Sequence, residues 1–401
     1  MQRRKFLEHS ALASASLFVP QFIQAYQPKR IFGSRSQKAL VVIQLSGGND
    51  GLNTVVPFRN DLYYQHRPAI GIPQKDVIDL NGEMGLHPAL APLQEGYGQG
   101  HMAILNAVGY PNPDRSHFRS MDIWHTASDS DTYLSTGWLG RYLDNQCEGC
   151  AAPHTGLELD DNLSLALKGE EQKGFAMDDP DRLLKTASNP ILKAVGEAWP
   201  SAQHDREEDN VAYLYKTMIE TQSSAGYLKE KTKGFKSRVG YPQGKFAQQL
   251  RMVAELLTTD QDIHIFYVSL GGFDTHAQQP ARQQRLLQQY ADGMAAFLKD
   301  LEQHKLLNDV AILTFSEFGR RVKENASRGT DHGTANVVFL HGGGFKQPGF
   351  FNDGPDLANL DQGDLKYQID FRSIYADLLG NVLNIEPERV LGKGFRGLGV
   401  V

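Results

Sequence analysis

Residues 263–276 read IHIFYVSLGGFDTH. The first seven, Ile263–Ser269, are rich in β-branched and aromatic side chains, which predicts a strand buried inside a sheet. Two glycines end it, and a carboxylate and an imidazole follow, Asp274 and His276. Both side chains favour water and neither helps a core. Their placement points to an oxygen and a nitrogen donor offered at the end of a strand.

The same design recurs along the chain. KALVVIQLS (38–46) is a continuous apolar run ending in Gly47-Gly48. HMAILNAVG (101–109), DVAILTFS (309–316) and ANVVFLHGG (335–343) read as further strands. Helical patterns lie between them. They are predicted over 87–99, in SHFRSMDIWHTAS with Ser116 at the N-cap, over 137–145, over 246–259, in the long 281–304 segment and over 371–383. Strands alternating with helices predict an α/β fold, a doubly wound, mostly parallel sheet flanked by helices. Residues 147–240 are polar and interrupted, and they read as an inserted, mainly helical cap.

In open parallel sheets, ligands bind beyond the carboxyl ends of the strands. After 38–46 come Asn49 and Asp50. After 263–269 come Asp274 and His276. After 309–316 come Glu317 and Arg320, and Asp331 and His332 precede the strand at 335–343. Gathered together, these acids would repel one another, and a divalent cation removes that cost. The mixed oxygen and nitrogen donors suit zinc or manganese, one or two ions per chain. The predicted ligands are Asp50, Asp274, His276, Glu317 and His332. Each residue also has an ordinary reading: Asp50 as a turn residue, Asp274 and Asp331 as helix caps, Glu317 as an ion-pair partner of Arg320 or Arg321.

A nucleophile is sought at YPNPDRSHFRS (110–120). Ser116 opens a helix, where backbone N–H groups and the helix dipole stabilise an anion. Its alternative is a plain N-cap. Arg119 and Arg320 are candidates to steady an anionic group, with Arg115 beside them. His117 is a second candidate, as ligand or acid. His87, His125 and His341 each read as site residues or as packed ones.

The N-terminus, MQRRKFLEHSALASASLFVPQFIQA, has a basic head and a short apolar run. Arg3-Arg4 followed by Phe6-Leu7 resembles the twin-arginine export signal, placing residues 1–38 as signal and linker and 39–401 as the exported domain. Periplasmic or secreted localisation follows, with the twin-arginine machinery as a partner. The full chain of 401 residues has a formal charge of −6, and residues 1–38 hold +6 of it, leaving −12 for the remainder. That acidic balance argues against nucleic acid. No run reaches the roughly 20 apolar residues of a membrane-crossing helix. Cys147 and Cys150 form a C-x-x-C pair, open to a redox role, half a zinc site or a local disulfide, the last favoured in an oxidising compartment.

LSGGNDGLNTVVP, GLHPAL, NPDRSHFRSMDIWHT, GGFDTH, TFSEFGRR and GTDHGTANVVFLHGG, in this order, resemble a bacterial exported family catalogued as domain of unknown function 1501. That family looks like a branch of the alkaline phosphatase/sulfatase superfamily. The resemblance implies an alkaline-phosphatase-like fold with one or two metals at the strand ends. It implies Asp50 as the first-strand ligand, Ser116 as nucleophile, and Asp274, His276 and His332 around one ion. SEFG stands where the superfamily usually has SDHG, so Phe318 removes a histidine of the second metal site. The implied activity is metal-dependent hydrolysis of a phosphate or sulfate ester, on a small anionic or polysaccharide substrate. The rivals are a non-catalytic, metal-stabilised binding protein of the cell envelope and a sugar binder using Trp124 and Trp138.

Overall fold

The structure is a computed structural model that describes residues 38–146, 155–178, 227–228, 230–231, 237–259 and 262–401. The chain divides into two compact units, and the described residues belong to the larger one, 35–148 and 153–401. The expected export signal, Cys147, Cys150 and most of the expected cap lie outside the described residues.

The strands in chain order are β1 (Ala39–Ser46), β2 (Val55–Val56), β3 (Ile78–Asp79), β4 (Gly85–Leu86), β5 (Met102–Gly109), β6 (Gly156–Glu158), β7 (Phe175–Ala176), β8 (Ile265–Gly271), β9 (Val310–Phe315), β10 (Asn336–His341), β11 (Gly349–Phe350) and β12 (Ile369–Asp370). The main sheet runs β11-β5-β10-β9-β1-β8-β6-β7, and β12 also pairs with β5. β1 lies parallel to both β8 and β9. β10 is antiparallel to both its neighbours, β9 and β5, and it is the one reversed strand of this sheet among the described residues. Its amino end therefore shares an edge with the carboxyl ends of the others. That is why a loop preceding β10 meets loops that follow β1, β8 and β9.

Helices cover both faces. They include α1 (His117–Thr126), α2 (Trp138–Gln146), α3 (Lys245–Thr259), α4 (Gln279–Gln303) and α5 (Phe371–Asn381). β1 shows why its sequence has no polar alternation. Val41, Ile43 and Leu45 join a core with α3 and α4, while Leu40 and Val42 join a second core with α1, α2 and α5. Each such side chain gains about 1.5–3 kcal/mol by leaving water, so a strand covered twice stays apolar throughout.

Three expectations are corrected. β6 and β7, within the segment read as a helical cap, extend the main sheet through pairing with β8. The 87–99 helix is a 3-10 turn, Pro88–Leu93, followed by a short helix, Gln94–Gly98; Pro92 interrupts the α-helical ladder. Trp124 and Trp138 are no sugar platforms. Both are buried, stacked on Phe371 and Tyr375 respectively.

Candidate metal centre

The loops at the shared edge approach closely because glycine lines them. Gly47 follows β1 with φ +116°, and a Cβ there would lie 2.4 Å from the backbone nitrogen of Asp274. Any other residue would force the β1 and β8 loops apart. Across this seam Arg320 acts as a brace. Its Nε donates to Gly48 O (2.6 Å), Nη1 to Thr330 O (3.0 Å), and Nη2 to Gly47 O, Phe273 O (3.0 Å) and Asp274 Oδ1 (2.7 Å).

Asp274 Oδ1 is the focus of the site. His276 Nε2 lies 3.0 Å from it, His332 Nε2 3.2 Å and His117 Nε2 3.6 Å. His276 Nε2 and His332 Nε2 are themselves 3.0 Å apart. The far nitrogen of every ring faces an oxygen that can only accept. His276 Nδ1 meets Asp331 Oδ1 at 3.1 Å, His332 Nδ1 meets Arg115 O at 2.8 Å, and His117 Nδ1 meets Glu317 Oε1 at 2.8 Å. Each neutral ring thus carries its proton on Nδ1 and turns a lone pair on Nε2 toward Asp274. Lone pairs this close repel unless a proton or cation lies among them.

The donors fit a metal ion. Zinc–ligand bonds of 2.0–2.1 Å in a tetrahedron place neighbouring donor atoms about 3.3 Å apart. The measured separations, 3.0 to 3.6 Å, bracket that edge. An acceptor behind each ring is the outer-shell arrangement that orients metal-binding histidines. His117, Asp274 and His332 alone already form a group able to hold an ion.

The electrostatics follow from the same contacts. Burial pushes the Asp274 carboxyl up, but the hydrogen bond from Arg320 and the close contact with His332 outweigh it and bring it down to about 2. The hydrogen bond to Glu317 raises His117, and burial lowers His332.

The remaining predicted site residues lie elsewhere in the network. Asp50 is 1% exposed, with Oδ2 taken by Arg67 Nη1 at 2.5 Å and by Gln279 Nε2, and Oδ1 facing Asn53 N. It caps a single helical turn, Gly51–Thr54, and neutralises a buried arginine instead of joining the imidazoles. Glu317 is fully buried and accepts from Gly47 N (2.8 Å) as well as His117, so it holds a ligand candidate in place. Arg119 is turned onto the 129–133 loop, donating to the carbonyls of Asp129, Ser130 and Thr132 and lying 3.9 Å from the Tyr133 ring centre. Arg119 thus commits Nε and Nη2 to backbone carbonyls, and Arg320 divides its donors between carbonyls and Asp274, so both brace the loops around the site. Ser116 occupies the N-cap of α1 and is exposed; its hydroxyl makes no capping bond and is available to a ligand.

The other histidines are structural. His87 Nδ1 accepts from Ala89 N, and burial lowers the ring to about 4. His125 lies between Gln44 and Tyr267, also lowered to about 4 by burial, and His341 meets Tyr290. Arg67, 0% exposed, gave no sequence signal, since HRPAI reads as an ordinary surface turn.

A family model described as "Protein of unknown function (DUF1501)" matches residues 37–380. A search of curated proteins finds no significant match. Similar solved structures include the lipoteichoic acid synthase LtaP from Listeria monocytogenes, at 12% identity, with 94% of this chain and 78% of that chain covered and a TM-score of 0.39. The PsFucS1 sulfatase from Pseudoalteromonas sp. is 12% identical, with 97% and 74% covered and a TM-score of 0.36. Murine ectonucleotide pyrophosphatase/phosphodiesterase 5 is 10% identical, with 88% and 96% covered and a TM-score of 0.39. Likeness at this level fixes neither activity nor substrate.

Proposed function

The chain belongs to the DUF1501 family, and from that premise we propose that it is an exported, metal-dependent hydrolase of phosphate or sulfate esters. The observation that carries the reading is the convergence of imidazole Nε2 atoms on Asp274 Oδ1 at 3.0–3.6 Å, beside an exposed serine at the head of α1. Asp274, His276 and His332 hold a divalent ion, zinc or manganese. When bound, the ion polarises an ester oxygen and stabilises charge that develops there. Ser116 is the nucleophile, next to the first backbone N–H groups of α1, which favour an anionic group. Arg320 orients the Asp274 carboxylate, and Arg115, half-buried with Nη2 on Asp364, is a further candidate to meet an anion.

The experiment is turnover of a panel of phosphate and sulfate monoesters and diesters by full-length protein supplied with zinc or manganese. Activity that is lost in both Ser116→Ala and His332→Ala, with folding unchanged, supports the hydrolase. Metal binding without turnover across the panel refutes it.

One observation favours a second reading, a non-catalytic, metal-stabilised protein of the cell envelope. Both arginines expected to hold an anionic substrate, Arg119 and Arg320, donate to backbone carbonyls. Export rests on Arg3-Arg4 and the apolar run that follows them. Among the described residues no helix is long and apolar enough to cross a membrane. Cell fractionation of the wild type against a variant with both arginines changed to lysine tests export: retention of the variant in the cytoplasm supports it.

A further inference from the structure

We propose that His117 is the fourth protein ligand of the metal centre, held there by Glu317, so that the ion sits in a shell of three imidazoles and one carboxylate. This rests on the metal reading above and goes beyond its three-ligand set.

Four observations carry it. His117 Nε2 is buried and makes no hydrogen bond, an unusual state for a ring nitrogen inside a protein. It points at the atom on which the other donors converge, 3.6 Å from Asp274 Oδ1. Its ring packs edge-on against His332 with centres 4.4 Å apart, and Phe318 lies 4.8 Å away on another side, so the ring has little room to turn. Behind it stands Glu317, an acid with no exposed surface whose other partners are Gly47 N and Ser316 Oγ. A buried carboxylate costs free energy unless it is matched to a cation or a strong donor. An imidazole bound to a metal through Nε2 would be such a donor, because the ion draws electron density away from the Nδ1–H and leaves its proton more positive.

Chemistry explains why Glu317 is not itself a ligand. Its Oε1 already serves two donors, and the imidazole stands between it and the donor cluster. Phe318 fills the adjoining volume: a Cβ on Gly48 would lie 2.3 Å from the Phe318 ring. One ion with four protein donors follows, and no second ion beside it. With His117 among the donors, the protein alone would supply the four ligands that a zinc ion ordinarily takes.

The test uses full-length protein loaded with cobalt(II), which takes zinc's place and reports its own ligands. Each imidazole bound through Nε2 gives one exchangeable, paramagnetically shifted Nδ1–H signal. Three such signals are expected in the wild type and two in His117→Ala. Zinc affinity, measured by chelator competition, is expected to fall at least tenfold in His117→Ala and about 10–100-fold in Glu317→Gln. If His117→Ala fails to fold, the signal count in the wild type and the Glu317→Gln affinity decide. Two signals in the wild type, or unchanged affinity in a folded His117→Ala, overturn the assignment of His117 and leave the three-ligand centre standing. A wild type that binds no cobalt or zinc at all overturns both.

Discussion

Asp50 follows β1 and Asp274 follows its parallel neighbour β8, each within a few residues of a glycine pair. On paper the two carboxylates are equivalent. In space Asp50 is 1% exposed, locked to Arg67 and Gln279, while the Asp274 side chain is 45% exposed and ringed by three imidazoles. The difference lies in what each loop meets. Asp50 opens a helical turn that drives it down toward the amino end of α4, where Gln279 and Gln283 wait. Asp274 is held at the surface by Arg320 from below. A carboxylate at a strand end is thus closed off when permanent donors surround it, and stays open when one arginine holds it from behind and imidazoles face it in front.

The largest effect that separates the two is on stability. Asp50→Ala leaves Arg67 buried without its counter-charge and should cost about 3–5 kcal/mol. Urea unfolding should show it, whereas Asp274→Ala, which removes a half-exposed group, should shift the midpoint far less. Equal losses would break the distinction.

Acid comes next. His87 and His125 titrate near 4 in the fold, below the ordinary 6.5, because burial disfavours their charged forms. The unfolded chain takes these protons first. Stability is therefore full above pH 6.5 and declines as pH falls toward about 4, by roughly 3 kcal/mol for each ring. Asp274, lowered to about 2, contributes stability above the usual carboxylate range that is lost only as pH falls through about 2. A stability profile flat from pH 6.5 to 4 would contradict the buried histidines.

Zinc sharpens the comparison further. At a free concentration about 100 times its Kd, an ion that binds only the folded state adds about 2.7 kcal/mol. The wild type should show this gain in thermal or urea unfolding, folded Asp50→Ala should keep it, and Asp274→Ala should lose it. The smallest effect belongs to Ser116→Ala: less than about 0.5 kcal/mol on stability, since the hydroxyl makes no capping bond. Any large loss of turnover in that variant is then chemical.

Much of the fold was legible because a doubly covered strand can only be apolar, and glycine pairs mark where it stops. The direction of β10 was not, since NVVFLH reads alike both ways. Nor were β6 and β7, whose two or three residues are too short for a periodic signal. At the site, residue types and strand ends were enough to bring Asp274, His276 and His332 together. They did not separate ligands from supports. Glu317 looked like a ligand and stands behind the His117 imidazole, and Arg119 and Arg320 looked like anion clamps but hold carbonyls. A sequence shows a donor; it does not show whether backbone oxygens, many residues away, have already claimed it.

The reversed direction of β10 has a consequence for how the centre assembles. Because β9 and β10 are adjacent and antiparallel, Glu317, Arg320, Asp331 and His332 all lie on one excursion between paired strands, joined further by a bridge between Arg320 and His332. That half of the cluster is carried on a single connection whose two ends are fixed by the β9–β10 pairing. Asp274 and His276 arrive only when β8 docks on β1, and His117 only when the segment after β5 settles. The donor set is therefore complete only when three separate segments of the chain, those after β5, β8 and β9, are all docked at the same edge of the sheet.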